Sequence, residues 1–123
     1  MSPVVPHFEL GEESSGDGAH IIRVRGEIHV STAPQFAQHL ANVVESGNTA
    51  IVLDMTGVEF IDSTGLSVLL NGLRLVTQAH GRMAIVCTNP TVLRLFQITN
   101  LDETFDIFDD RAPAIAHVLA PPP

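Results

Sequence analysis

Short continuous runs of apolar residues alternate along the chain with longer segments whose apolar residues recur every three or four positions. Ala50–Leu53, which ends at Asp54, and Met83–Cys87 have the pattern of strands buried on both faces. The segments around them have the apolar spacing of amphipathic helices. This alternation predicts an α/β domain whose later strands are parallel and joined by right-handed crossovers.

Two short polar-punctuated segments, Phe8–Leu10 and His20–Arg25, precede the first apolar run. The residues between them, Glu12–Gly18, end in Gly-Asp-Gly, which is typical of a turn. The chain is therefore predicted to open with a β-hairpin.

The first helix is predicted to begin after Thr32, which is its N-cap. Pro34 lies in the first turn, and Gln35 is placed to complete a capping box. Gly47 closes the helix. Its apolar stripe consists of Ala33, Phe36, Ala37, Leu40, Val43 and Val44.

A second helix is predicted from Leu66 to about His80, and its two apolar stripes predict that it is largely enclosed. The remaining predicted elements are a short helix from Asn89-Pro90 to about Ile98, a strand over Thr104–Phe108 and a helix over Asp110–Leu119.

The charges of the chain exclude several classes of protein. There are 14 acidic residues and 6 basic ones, all six of them arginines, so the formal net charge is −8. Without lysine, a phosphate-binding P-loop, a Schiff-base enzyme or a pyridoxal enzyme cannot be built. The acidic excess also argues against binding to nucleic acid, so we expect protein partners.

Two further features indicate a cytoplasmic protein. No stretch approaches the roughly 18 uninterrupted apolar residues of a membrane span, and Met1–Leu10 lacks the basic start and apolar run of a signal peptide. Cys87 is the single cysteine, which excludes an internal disulfide and predicts a buried structural thiol.

The segment Phe60–Leu66 lies where an apolar strand gives way to an apolar helix, and it places Ser63 at or within one residue of the helix N-terminus. Free backbone N–H groups and a partial positive charge of about +0.5 lie at such a position. Ser63 can therefore accept a phosphate there with local stabilisation. Asp62 and Ser63 are equally typical of plain cap residues, and the residues alone leave both interpretations open.

At this point the chain resembles the STAS-domain family of bacterial anti-sigma factor antagonists, over nearly its whole length from Val4 to Leu119. The most specific similarity is the Phe-Ile-Asp-Ser-Thr-Gly-Leu core within Asp54–Leu66. Gly26-Glu27-Ile28 leading into Thr32-Ala33-Pro34 is similar to the family's first loop. The segments Leu95–Leu101 and Phe105–Phe108 are similar to its carboxy-terminal signature.

The resemblance implies an α/β STAS fold, a small mixed β-sheet with about four α-helices largely on one side. It implies a single STAS domain over residues 4–119, followed by a proline-rich tail over 120–123. In the family, the unphosphorylated protein binds an anti-sigma factor, often a serine kinase, and releases the sigma factor. Phosphorylation breaks that complex and a PP2C-type phosphatase restores it.

By the family's motif the phosphoacceptor is Ser63, with Thr64 as a secondary candidate. The residues implied in partner binding are Glu27, His29, Ser31, Thr32, Asp62, Ser63, Thr64, Gly65 and Leu66. His29 departs from the family, which commonly has aspartate at this position, and this puts the details of kinase docking or phosphorylation in question. An exposed loop histidine without a role is the first interpretation, and a contact that depends on pH is the alternative.

Two other classes of function were compared with this one. A hydrolase with Ser63 as nucleophile would need glycine at position 61, which is isoleucine. The histidines have no paired metal-ligand spacing, so no enzyme, metal or cofactor is expected. The second alternative is a non-phosphorylated STAS scaffold or sensor that binds a small ligand or nucleotide. Two segments that could bind such a ligand have simpler interpretations: Gly16-Asp17-Gly18 is typical of a turn, and the acidic residues between Asp102 and Asp110 are typical of a solvated face.

Overall fold

The computed structural model describes residues 7–121. Within this range strands and helices alternate as the sequence predicts. The strands are β1 (Phe8–Ser14), β2 (His20–Ile28), β3 (Ala50–Ile61), β4 (Arg82–Val86) and β5 (Asp106–Phe108). The helices are α1 (Ala33–Glu45), α2 (Ser63–Gln78), α3 (Pro90–Ile98) and α4 (Arg111–Leu119).

The five strands form one sheet in the order β1-β2-β3-β4-β5. The pair β1–β2 is antiparallel and the other three pairs are parallel, which confirms the predicted opening hairpin and the parallel remainder. In the described part of the chain, no helix is long and apolar enough to cross a membrane.

Apolar residues pack on both faces of the sheet. The larger core lies between the sheet and α1, α2 and α3, and Phe36, Leu69 and Phe96 are buried in it. The smaller core lies on the other face, where Ala114 and Val118 of α4 pack against the sheet. Three helices on one face and one on the other agree with the mixed α/β arrangement expected.

Cys87 lies directly after β4 and is buried in the larger core, as predicted. Burial raises the pKa of its thiol above the ordinary value, which keeps the group protonated at neutral pH. Its place in the fold is therefore that of a small apolar side chain.

Strand β3 is longer than predicted, because it continues past Asp54 to Ile61. Its pairing with β2 shifts register twice, between Arg23 and Arg25 and between Gly26 and Glu27. Each shift is a bulge that inserts one extra residue into β3. As a result the strand's core-facing residues after Leu53 are three apart rather than two, namely Met55, Val58 and Ile61.

Helix α2 differs from its prediction in two respects. It begins at Ser63, as the predicted place of Ser63 at the helix N-terminus requires, although the apolar pattern starts only at Leu66, and it ends at Gln78, two residues before the predicted end. The prediction of an enclosed helix is wrong, because one face is open to solvent and Leu70 is 39% exposed. The reason is that α2 packs mainly on the sheet and on α1. The exposed residues of the helix are Ser63, Ser67, Leu70, Asn71, Arg74, Thr77 and Gln78.

The ends of the domain are described only in part. The expected domain start at residue 4 and the last two residues of the expected tail, 122–123, lie outside the described residues. The last strand is three residues long, shorter than the predicted Thr104–Phe108. The last helix follows Asp110, as predicted.

Candidate functional site

The carboxyl ends of β2 and β3 bring two segments of the predicted site together. These strands pair in parallel to their last residues, with Ile28 opposite Ile61. The backbone N–H of Asp62 then donates to the carbonyl oxygen of Ile28 at 3.2 Å. The loop that follows β2 therefore lies beside the first turn of α2, and it brings the two sequence-distant parts of the predicted site to one edge of the sheet.

Asp62 is the N-cap of α2. Its backbone is extended (φ −112°, ψ −171°), and its Oδ1 accepts a hydrogen bond from the N–H of Gly65 at 3.1 Å. This bond satisfies one of the free N–H groups at the start of the helix. The capping interpretation is therefore confirmed for Asp62.

Ser63 is the first helical residue and is exposed. Its carbonyl oxygen accepts a hydrogen bond from the Ser67 hydroxyl at 3.0 Å, which reinforces the first turn. Because the cap is provided by Asp62, the fold does not require the Ser63 hydroxyl for capping. The exposed hydroxyl lies at the positive end of the helix dipole, where an attached anion is stabilised.

Gly65 allows α2 to approach the ends of both strands. A Cβ atom at this position would lie 2.8 Å from Cγ2 of Ile28, closer than side chains pack. The next residue, Leu66, is buried in the larger core and holds the helix down. Gly65 and Leu66 thus position the turn from inside, and Thr64 is half-buried beside them.

Thr32 organises the loop after β2. Its hydroxyl donates to the carbonyl oxygen of Glu27 at 2.8 Å and accepts from the N–H of His29 at 3.0 Å. The predicted capping box with Gln35 is wrong, because the Thr32 side chain makes no capping hydrogen bond to α1. Its hydroxyl is used to close the loop onto β2 instead.

His29 contacts one residue of its own loop and one residue of β3. Its Nδ1 accepts a hydrogen bond from the N–H of Ser31 at 3.2 Å. Its ring also faces the ring of Phe60 on β3, with centroids 6.4 Å apart. His29 and Glu27 are half-buried, whereas Ser31 is exposed.

Two large apolar side chains that the sequence did not predict to be exposed lie in the segments on either side of the site, Val30 in the loop after β2 and Phe60 near the end of β3, three residues before Ser63. Val30 is 71% exposed and Phe60 is 46% exposed. A cavity of about 140 Å³ opens beside Phe60 and is lined by Phe60, Ile61, Thr91, Val92 and Leu95. An engineered cavity of about 150 Å³ holds one benzene ring, so this one has room for a single apolar side chain. The sequence shows an aromatic residue at position 60, but whether its side chain is exposed depends on the bulges in β3.

The side of this cavity is fixed by Asn89. Its Nδ2 donates to the carbonyl oxygen of Val58 at 3.2 Å, and its Oδ1 accepts from the N–H of Thr91 at 2.9 Å. One side chain therefore caps α3, as the sequence predicts, and attaches the start of that helix to β3. No group of three or more metal-ligating side chains occurs among residues 7–121.

Comparison with known proteins gives a consistent result. The family model described as STAS domain matches residues 14–114. The anti-sigma F factor antagonist of Paenibacillus polymyxa is 29% identical over 102 residues, which cover 82% of this chain and 87% of that protein. The anti-sigma-B factor antagonist of Staphylococcus aureus is 27% identical over 96 residues, covering 78% of this chain and 89% of that protein.

The crystal structure of an anti-sigma factor antagonist from Mycobacterium paratuberculosis has the same fold. It matches this chain with a TM-score of 0.84 and 30% sequence identity, covering 93% of this chain and 96% of that one. The predicted fold class is thereby confirmed.

Proposed function

The chain belongs to the STAS domain family, and from this membership we propose that it is an anti-sigma factor antagonist, which binds an anti-sigma factor and so releases a sigma factor. The relatives named above support this general role. The single observation that carries the finer proposal is the exposure of Ser63 at the first position of α2, three residues after the exposed Phe60. This role places the chain in the cytoplasm with its partners.

We define the Ser63 surface as Val30, Ser31, Phe60, Ser63 and the cavity beside Phe60. The anti-sigma factor docks here through apolar contacts, since exposed apolar patches of soluble proteins mark interaction sites. Aromatic residues such as Phe60 are enriched among the anchors of such interfaces. The hydroxyl of Ser63 belongs to the same surface, so phosphorylation of this serine by the partner changes the surface to which the partner binds.

In the proposed switch, the anti-sigma factor is a serine kinase that transfers the γ-phosphoryl group of its own ATP to Oγ of Ser63. The hydroxyl loses its proton, and ADP leaves with the kinase. The nucleotide site belongs to the partner, because this chain has no lysine for a P-loop. A PP2C-type phosphatase returns the serine by hydrolysis.

The phosphate adds about −1.5 to −2 charges next to Asp62, in a chain of formal charge −8. Within the fold, the helix N-terminus offsets part of this repulsion by about 0.3 to 1 kcal/mol. At an interface, like charge or lost hydration costs several kcal/mol. Only about 2.7 kcal/mol is needed for a hundredfold loss of affinity, so the fold persists while the complex dissociates.

A binding titration with the organism's anti-sigma factor tests the proposal. Parent and Ser63→Ala are expected to bind equally, and Ser63→Glu about a hundredfold more weakly. Thr77→Glu adds the same charge at an exposed position near the other end of α2 and serves as the control. Equal affinities for parent and Ser63→Glu would refute the phosphorylation switch, whereas parent protein that binds no anti-sigma factor would refute the role itself.

The site of modification is tested separately. Incubation with the cognate kinase and ATP, followed by mass spectrometry, is expected to place one phosphate on Ser63 and none on Ser63→Ala. Phosphate found on Thr64 in the parent would move the switch to the secondary candidate.

A further inference from the structure

The sheet face opposite α1, α2 and α3 is only partly covered. Helix α4 covers its apolar portion, which includes Ile21, Val52 and Ala84. The portion next to it is polar and open, and it forms a cavity of about 250 Å³. The cavity is lined by Arg23, Val24, Arg25, Asp54, Thr56 and Gly57. We call it the arginine cavity.

The acidic group of the arginine cavity is already paired. Oδ1 of Asp54 accepts hydrogen bonds from the N–H of Thr56 at 3.1 Å and from its hydroxyl at 2.7 Å. Oδ2 accepts a hydrogen bond from Nε of Arg111 at 2.7 Å. Both carboxylate oxygens are occupied, and Arg111, which also contacts Glu13, compensates part of the charge, so Asp54 opposes an anion in the cavity less than a free carboxylate would.

Arg25 has the least compensated charge of the cavity. Among residues 7–121 no carboxylate oxygen lies within 4.0 Å of its side-chain nitrogens. Glu9 is its neighbour on β1, but the Glu9 carboxylate lies 3.7 Å from Nε2 of His7. Nε of Arg23 lies 3.4 Å from the carboxylate of Glu13. Both guanidinium groups keep N–H donors for a ligand.

Two glycines give the arginine side chains room to lie across the sheet. A Cβ atom at Gly57 would lie 2.8 Å from Cγ of Arg25, and one at Gly11 would lie 2.6 Å from Nη2 of Arg23. The stem of Arg25 therefore rests directly on the backbone of β3. A side chain resting in this way has less conformational freedom to lose when it binds a ligand.

We propose that the arginine cavity binds a phosphate group. A phosphate group presents a double negative charge and three oxygens, so two of its oxygens can accept from the forked donors of Arg25 and the third from another donor of the cavity, whereas a carboxylate is satisfied by one guanidinium. The cavity is smaller than the roughly 300 to 1,000 Å³ of sites for drug-sized ligands, so it fits the phosphate rather than the whole of a larger molecule. The phosphate is that of a small phosphorylated metabolite or of a phosphorylated side chain.

The proposal is tested by calorimetric titration with sodium phosphate at constant ionic strength, with sodium acetate as the control ligand. Saturable phosphate binding is expected for the parent, with affinity at least tenfold lower in Arg25→Gln and an intermediate loss in Arg25→Lys, which keeps the charge without the fork. Arg94→Gln, at an exposed arginine of α3, is the matched control and should bind as the parent does. Circular dichroism checks the fold of each variant.

Equal affinity of parent and Arg25→Gln, or acetate binding as tight as phosphate, would overturn the proposal. Ser63→Ala is expected to bind phosphate like the parent, so the result does not depend on the role proposed for Ser63. Competition by ATP and by a phosphoserine peptide then distinguishes the two sources of phosphate. The natural source should displace inorganic phosphate at the lower concentration, and its affinity should fall at least tenfold in Arg25→Gln.

Discussion

Gly65 packs so closely on Ile61 that a Cβ atom at position 65 would lie only 2.6 Å from Cγ1 of Ile61. Ile61 is buried and ends β3, while Gly65 lies within the first turn of the helix that follows. The two residues set the distance between the strand and the helix. They thereby set the position of Ser63, which lies between them in the chain.

Gly65→Ala is expected to lower the free energy of unfolding by about 1–3 kcal/mol, the usual cost of inserting a methyl group into a packed interior. Displacement of the first turn should also weaken binding to the anti-sigma factor. Urea unfolding and a binding titration measure the two effects. Thr77→Ala, at an exposed position of the same helix, should change stability by less than about 0.5 kcal/mol; a Gly65→Ala variant as stable as this control would contradict the packing argument.

Phe60→Ala is expected to weaken binding to the anti-sigma factor tenfold or more. Burying a phenylalanine in an interface contributes about 1.5–3 kcal/mol, and about 1.4 kcal/mol corresponds to a factor of ten. Stability should change little, because Phe60 is already 46% exposed. Ile98→Ala is the matched control, since Ile98 is 69% exposed but does not line the cavity; equal losses in both variants would remove the assignment of this surface.

Asp54→Asn is expected to cost about 1–3 kcal/mol at neutral pH. Burial alone would raise the pKa of Asp54, but hydrogen bonds from Thr56 and Arg111 outweigh it and the pKa is lowered. A carboxyl whose folded pKa lies below its unfolded pKa stabilises the fold above the unfolded value and ceases to do so as the pH falls through the folded value.

The difference in unfolding free energy between parent and Asp54→Asn should therefore be constant down to about pH 5 and shrink below about pH 4. Urea unfolding of both proteins at several pH values measures it. Asp17→Asn, in the exposed turn after β1, is the control for general charge effects. A difference that grows on acidification would show that the carboxylate is not the stabilising form.

His29→Asp is expected to remove a pH dependence from docking of the kinase proposed above. Nδ1 of His29 accepts a hydrogen bond from the N–H of Ser31, and a doubly protonated imidazole has no acceptor atom. Protonation of His29 would therefore remove this hydrogen bond and alter the loop after β2. Docking measured from about pH 6 to 8 should vary for the parent and stay flat for the aspartate variant; identical curves would assign His29 no role.

The elements that were predicted correctly have local causes. Asn89-Pro90 begins α3 because cap and proline act within one turn. Helix α2 begins at Ser63, which the sequence predicts to lie at or within one residue of the helix N-terminus. The Asp62 cap is local because it needs only the N–H of Gly65. The family motif identified the same turn from a few adjacent residues.

The features that were missed depend on residues distant in sequence. The end of β3 was misplaced because two bulges, set by pairing with β2, change its spacing of core residues from two to three. The hydroxyl of Thr32 reaches back to Glu27 across a loop instead of forward to its helix. The exposure of Phe60 follows from the same bulges, so it could not be read from the alternation of residues.

Arg111 contacts Glu13 of β1 at 2.9 Å and Asp54 of β3 at 2.7 Å, so the first residue of α4 joins three elements. On a ribosome adding about 5 to 20 residues per second, Glu13 and Asp54 are made seconds before their shared cation. During that interval the carboxylates lack this partner, and the apolar sheet residues under α4, such as Val52 and Ala84, are uncovered. This face of the sheet is therefore completed only when α4 has been made.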